Sequence, residues 1–374
     1  MTGIFLYGTL CYPRLLSLIS GAETPPDFQK AALPDHAVNW AKGGAYPVIY
    51  PKQNALAEGG LVKNINATTR ARLDYYEAMF GYQLRRVLVL IDGVETSAEA
   101  YFPLETPPMG GVWSLADWVR DHWPQTRHSA AEIMDYFDTL PAGEVAKRNT
   151  MIQTRAASHA RAAANPAPAT MRSDFGAAQV HEHARSRPYA GFFTLEESTL
   201  AFRRFDGKMS DPVGRTGFVG GDAAILLPYD PKTDHVLVIE QFRYGPYLRG
   251  DPRPWVLEPI AGRVDGGESP QTCARREAYE EAGLTITALE HIADYYPSPG
   301  AVTEFFYSYI GLTDLTPAMA GIGGLQDEAE DIRSHVIAFE QLMELVSSGE
   351  AGCGPLVLCA LWLQANRPRL RAAA

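Results

Sequence analysis

Between Gly262 and Leu284 the chain reads GRVDGGESPQTCARREAYEEAGL, a run that dictates a short helix with one acidic face. Ser269 is a good N-cap, Pro270 suits the first helical position, and Gly283 is a natural left-handed stop. Glu277 and Glu281 are four residues apart and share a face, with Glu280 beside them. Three like charges on one stripe repel unless a cation sits among them. Mg²⁺ is the hard, oxygen-seeking candidate, with Mn²⁺ as the alternative, and it commonly shares its shell with substrate phosphates. Arg276, four residues before Glu280, is placed to hold that carboxylate. A lone pair of glutamates usually marks a solvated helix face. Here glycines, spacing and caps agree at once, and the stretch reads as a site.

At 374 residues the chain exceeds one ordinary domain and predicts two. Its 33 basic against 44 acidic residues leave a net charge of −11, which argues against generic nucleic-acid binding. Metal ions and a few placed arginines still let an acidic protein bind polyphosphates. Cys11, Cys273, Cys353 and Cys359 form no CxxC pair and no regular framework, so disulfides are not expected and a reducing cytoplasm is. The start MTGIFLYGTL lacks a basic leader, and no apolar run approaches membrane-spanning length. A soluble, cytoplasmic protein without a membrane or nucleic-acid partner is expected.

Local patterns divide the chain into residues 1–110, a helical extension and linker over 111–190, and 191–374. Ser129 to Glu132 reads as a capping box, and RAASHARAAA over 155–164 as further helix forming a solvated connector. Asn165-Pro166-Ala167-Pro168-Ala169-Thr170 then breaks it as a stiff linker. From about 190 strands take over, at 191–205, 222–230, 235–244, 305–312 and 334–340, with a closing helix around 355–366. The fold class is α/β (α+β).

The Gly262–Leu284 run resembles the signature of the Nudix hydrolases, which cleave nucleoside diphosphates linked to another group. Pro299, fifteen residues past Leu284, together with GDAAILLPYDPKTDHVLVIEQFR (221–243), PWVLEPIAGRVDGGE (254–268) and GLQDEAEDIRSHVI (324–337), is similar to the ADP-ribose pyrophosphatase subfamily. The likeness covers roughly residues 195–370. It implies a mixed-sheet α/β/α sandwich, a nucleotide substrate and a homodimer. It also implies that Glu277, Glu281 and the Ala261 carbonyl hold metal, that Glu268 and Glu280 support them, and that Glu330 adds a contact. Glu328 is implied as the group that orients or deprotonates water, Arg243 as a phosphate clamp, Arg215 as an arginine reaching across a dimer, and Glu304 as a contact to the terminal ribose. Tyr247, Trp255 and Phe192 are candidates for stacking on a base, although each reads first as core.

At the other end, Tyr7-Gly8-Thr9-Leu10 follows a strand, Pro13 opens a short helix and Gly21 ends it. With Gly44-Ala45-Tyr46-Pro47, Leu73-Asp74-Tyr75-Tyr76-Glu77, Tyr82 and the strand over 85–91, this resembles the γ-glutamylcyclotransferase-like (AIG2-like) fold over about residues 3–105. The resemblance implies a mixed β-barrel with helices, a Tyr7–Leu10 loop that cradles a γ-glutamyl group, and Glu77 as general acid/base. Ala78 stands where glycine is common after that glutamate, and alanine resists positive φ, so a departure in loop geometry is expected. Two other readings remain: an ADP-ribose-binding sensor, and an N-terminal domain that serves only as an interaction module.

Overall fold

A computed structural model describes all residues except 1, 2, 24, 25, 27 and 325–330. The chain divides into two compact units, Met1–Pro166 and Ala167–Ala374, with the break inside the proline-rich stretch. Among the described residues no helix is long and apolar enough to cross a membrane.

In the first unit β1 (Gly3–Leu6), β2 (Phe28–Ala41), β3 (Pro47–Val62), β4 (Tyr82–Ile91) and β5 (Val94–Pro103) run in the order β3-β1-β5-β4-β2. The long pairing of β2 back onto β3 closes them into a five-stranded barrel, and β6 (Met109–Val112) is appended to β2. β1 lies antiparallel to β3 and parallel to β5. The interior is filled by Phe5, Tyr7, Leu33, Ile49, Leu61 and Val89. Helix α1 (Pro13–Ser20) starts at its proline and ends at Gly21, φ 72°, as its sequence requires. Helix α2 (Ala67–Met79) is capped by Asn66, whose side chain accepts the Thr69 N–H at 2.7 Å.

After the barrel come α3 (Leu115–Asp121), α4 (Trp123–Asp135), α5 (Ala142–Ala146) and α6 (Asn149–Ala164). Two expectations fail here. Ser129 and Glu132 are not a capping box; both are buried inside α4, which starts at Trp123 with a proline in its first turn. Residues 155–164 are not a solvated connector either. They complete α6, which packs on α4 and buries Arg155, Ala156 and Ala157. Alanines let the helices approach closely, and the buried Arg155 is matched by Glu132 at 2.5 and 3.1 Å. A buried cation needs such a partner.

The second unit opens with an antiparallel sheet of β7 (Val180–Ala190), β8 (Thr194–Phe202) and β9 (Val213–Val219). Strand structure thus begins before residue 190. β7 is exposed on both faces, so no alternation of apolar residues marks it. The main sheet contains β10 (Ala223–Asp230), β11 (His235–Phe242), β12 (Trp255–Glu258), β13 (Ile260–Arg263), β14 (Ala288–Tyr295), β15 (Phe306–Leu312), β16 (Gly321–Gly323) and β17 (Ile332–Ala338). Its order is β14-β15-β10-β11-β17-β16. β10 and β11 pair at their hairpin end, then splay, and β13 and β12 pair with them beyond that point. Between β11 and β12 runs α7 (Tyr244–Arg249).

Helix α8 (Pro270–Ala282) covers one face, burying Cys273, Ala274 and Ala278 against Leu226, Leu237 and Ile239. Helices α9 (Phe339–Ser348) and α10 (Gly354–Ala372) cover the other, with Leu342, Leu356 and Leu363 on Ile225, Val236 and Val238. Adjacent residues on each strand serve opposite layers, as pleating demands. The sandwich expected for this half is the one observed.

Candidate functional site

The acidic helix is held as its sequence predicts. The Ser269 hydroxyl accepts the Thr272 N–H at 3.1 Å, and Gly283 takes φ 64° at the C-terminus. Helix α8 packs on β10 and β13, and β13 carries Ala261 and Gly262 to it. A Cβ on Gly262 would lie 1.8 Å from Glu277 Oε1, so glycine alone leaves that carboxylate its seat.

Arg276 gathers the rest. Its Nε and Nη2 donate to Glu268 at 3.0 and 3.1 Å, its Nη1 to Glu277 at 2.7 Å and to Glu280 at 2.8 Å. Nη2 also reaches the Arg263 carbonyl at 3.2 Å. Glu281, 4% exposed, lies on the same helix one turn beyond Glu277. Arg276 is thus shared among three carboxylates, Glu268, Glu277 and Glu280. Burial works against ionised Glu268, but the Arg276 hydrogen bonds and the Asp265 N–H outweigh it and hold the carboxyl below its ordinary pKa. Hydrogen bonding to Glu268 in turn raises the pKa of Arg276.

Among the described residues no three His, Cys, Asp or Glu side chains are gathered closely enough to hold a metal ion by themselves. The donors in this cluster are carboxylate oxygens beside β13, a hard-oxygen set in which one guanidinium is shared among three carboxylates. That chemistry fits Mg²⁺ or Mn²⁺. Glu328 and Glu330 lie outside the described residues. Gly323, just ahead of that segment, presses on α8: a Cβ there would sit 2.6 Å from the Glu281 carbonyl oxygen.

The other sequence candidates are more dispersed. Arg243 caps α7 and donates to Glu258 at 2.6 Å, on the wall of a cavity of about 1250 Å³ that includes Glu240, Trp255 and His335 but no residue of α8. Arg215 is exposed on β9, its guanidinium donating to the Gly214 carbonyl at 2.9 Å. Pro299 is exposed in the β14–β15 connection. Burial raises the pKa of Glu304, with Arg263 opposing, and its side chain fills the space beside Gly220. Tyr247, Trp255 and Phe192 are 57%, 56% and 53% exposed, so the reading of them as core is overturned. The ring of Phe192 lies 4.1 Å from the Arg263 guanidinium. Arg263 was not singled out from the sequence, although its place beside Gly262 was the available signal.

In the first unit Tyr7, at the head of the Tyr7–Leu10 loop, lies within the electrostatic reach of Glu77. The Tyr7 hydroxyl donates to the Tyr101 carbonyl at 2.7 Å, and the Cys11 N–H closes a turn on the Gly8 carbonyl at 3.0 Å. Thr9 is half-buried within that turn and Leu10 is buried. A Cβ on Gly8 would lie 2.5 Å from Pro47 Cγ, so the loop and the 44–47 turn touch. Glu77, in the last turn of α2, is half-buried, and burial pushes its carboxyl up to about 8. Among the described residues no hydrogen bond or ion pair reaches that carboxylate. Burial and then the field of Glu77 and Tyr46 raise Tyr82; burial, Tyr82 and Glu77 raise Tyr7. The expected disturbance at Ala78 does not occur. Ala78 is helical, and Gly81, φ 76°, makes the left-handed turn instead.

Comparison with known proteins finds a NUDIX domain model matching residues 220–352 and a gamma-glutamyl cyclotransferase, AIG2-like, model matching residues 4–120. ADP-ribose pyrophosphatase of Escherichia coli strain K12 is 41% identical over 197 residues, 53% of this chain and 93% of that protein. ADP-ribose pyrophosphatase of Haemophilus influenzae is 38% identical over 185 residues, 49% of this chain and 85% of that protein. GDP-mannose pyrophosphatase of an Enterobacter species is 33% identical over 174 residues, 46% of this chain and 88% of that protein.

Proposed function

Because the chain belongs to the Nudix family through its second unit, behind an AIG2-like domain, we propose that it hydrolyses ADP-ribose with water to AMP and ribose 5-phosphate. The observation that carries this reading is the seat made by Gly262 for Glu277, with Arg276 ordering Glu268, Glu277 and Glu280 around it. Glu277, Glu281 and the Ala261 carbonyl would hold Mg²⁺, with Glu330 adding a contact and Glu268 and Glu280 supporting. When bound, the metal supplies charge neutralisation for the pyrophosphate.

The protein's own groups do the remaining work in this proposal. Arg276 orients the carboxylates and holds Glu268 ionised. Glu328 orients the attacking water and takes its proton, since a carboxylate free of metal is the better base. Arg243 faces the phosphates, Glu304 the terminal ribose, and Arg215 reaches the substrate of a second subunit in a homodimer. The complete set of signature carboxylates favours an enzyme over a sensor. The four free thiols suit a reducing cytoplasm.

The test is hydrolysis of ADP-ribose and GDP-mannose with Mg²⁺ and with chelator, in wild type and Glu281→Gln. Turnover of ADP-ribose that vanishes in chelator and in Glu281→Gln is expected. Retention of more than about a tenth of wild-type turnover by Glu281→Gln would sink the assignment. A monomeric mass by light scattering with full activity would remove the dimer.

A second reading concerns the first unit, and the raised pKa of the partly enclosed Glu77 favours it. A γ-glutamyl amine held by the Tyr7–Leu10 loop would cyclise as its α-amine attacks the γ-carbonyl, releasing the amine and 5-oxoproline. Glu77 would take the proton from the attacking nitrogen and return it to the leaving one. Chromatographic detection of 5-oxoproline, lost in Glu77→Gln, tests this.

A further inference from the structure

Trp118 is the largest fully buried side chain among the described residues, yet it lies on α3, beyond the barrel. Its indole N–H donates to the Ala45 carbonyl at 3.0 Å. Its ring meets Tyr12 edge-on, with centroids 6.2 Å apart, and Tyr12 is in turn 5.0 Å from Trp123 at the start of α4. Tyr12 ends the loop that begins at Tyr7, and Ala45 begins the turn that ends at Pro47. Trp118 therefore touches the two segments that meet where Pro47 fills the space beside Gly8. From the other side the Tyr82 hydroxyl donates to the Pro47 carbonyl at 3.0 Å.

We propose that Trp118 is a positioning residue of the Glu77 pocket, locking the Ala45–Pro47 turn against the Tyr7–Leu10 loop, and that α3 and α4 belong to that site rather than to a linker. A carbonyl in a tight turn must find a donor or water, and a buried indole N–H must find an acceptor. Satisfying each other, they fix the turn in one place. Without the indole donor, water takes over the Ala45 carbonyl, the turn keeps only its Ala41–Tyr46, Gly44–Ala41 and Tyr82–Pro47 bonds and its ladder with Trp40, and the looser contact of Pro47 with Gly8 lets solvent approach Glu77. The groups around Glu77 are Tyr7, Tyr76, Tyr82 and Tyr101, with Cys11 and Tyr46 further out.

The inference deepens the cyclotransferase reading, but its test does not depend on turnover. Trp118→Phe keeps an aromatic ring against Tyr12 and removes the donor. Glu77 ionisation is followed by carbon NMR of glutamate-labelled full-length protein, with Trp113→Phe as a control on a neighbouring ring that makes no side-chain hydrogen bond to the turn. Admission of water should move the Glu77 titration down by about one pH unit or more in Trp118→Phe and leave it unmoved in Trp113→Phe. An unmoved titration in folded Trp118→Phe overturns the proposal.

If Trp118→Phe does not fold, wild type decides. The indole N–H resonance of Trp118 should shift with pH at the same midpoint as Glu77, and a flat profile overturns the coupling. Absence of 5-oxoproline release by wild type would refute the cyclotransferase reading alone, and leave both titrations to judge Trp118.

Discussion

Replacing Glu77 with glutamine should stabilise the first unit, and by an amount that depends on pH in a defined way. The carboxyl is pushed from 4.5 to about 8 by burial. Between those values the folded protein binds a proton that the unfolded chain releases, so stability is full below about 4.5 and falls as pH rises toward 8. Each pH unit is worth about 1.4 kcal/mol, so the whole interval sets an upper limit of about 5 kcal/mol. The residue as a whole is only half-buried, which trims the expected loss to about 2–4 kcal/mol.

Glutamine keeps the shape and never ionises. The difference in unfolding free energy between Glu77→Gln and wild type should therefore be nearly constant below pH 4.5, grow up to pH 8 and then level off. His128, lowered to about 4 by burial, acts in the opposite direction below pH 6.5, but equally in both proteins, and cancels in the difference. Urea unfolding at intervals from pH 4 to 9, followed by tryptophan fluorescence, measures this. Two curves that stay parallel across the range would refute the enclosed, proton-retaining carboxyl.

Three further outcomes follow from contacts elsewhere. Gly262→Ala should expel the Glu277 carboxylate and lower kcat for ADP-ribose about a hundredfold or more, read by steady-state kinetics with saturating Mg²⁺. Glu328→Gln should lower kcat by a similar factor of about a hundred with little change in KM, the pattern of a group needed in the transition state; an unchanged kcat would move the base to Glu304 or Glu280. Arg155→Met should cost about 3–5 kcal/mol by stranding the buried Glu132, and adding Glu132→Leu should recover most of that loss in denaturant titrations.

What could be read in advance was what neighbouring residues decide. Ser269, Pro270 and Gly283 act on their own helix, and Arg276 reaches Glu280 within one turn, so the acidic helix was legible from its caps to its central ion pair. The Pro13–Gly21 helix was legible for the same reason. Ser129 and Glu132 misled because the true start of α4 is set by the proline that follows Trp123, and because Glu132 answers to Arg155 on a different helix. β7 escaped notice because its exposed, charged residues carry no period. The exposure of Phe192, Tyr247 and Trp255 could not be read locally either. An aromatic residue beside an apolar strand reads as core until the sheet shows which face is covered.

The closure of the barrel has a consequence for how the chain must be made. β1 precedes the other strands of the barrel and pairs with Ala98–Ala100 of β5, so its parallel edge stays bare until nearly all of the barrel has left the ribosome. In that interval β2 and β3 can zip into their long hairpin, but the unit is an open sheet with apolar edges, the kind that joins edge to edge with other chains. A contact spanning so much sequence also closes slowly. Chains that terminate before β5 should accumulate as aggregates rather than as shortened, functional barrels.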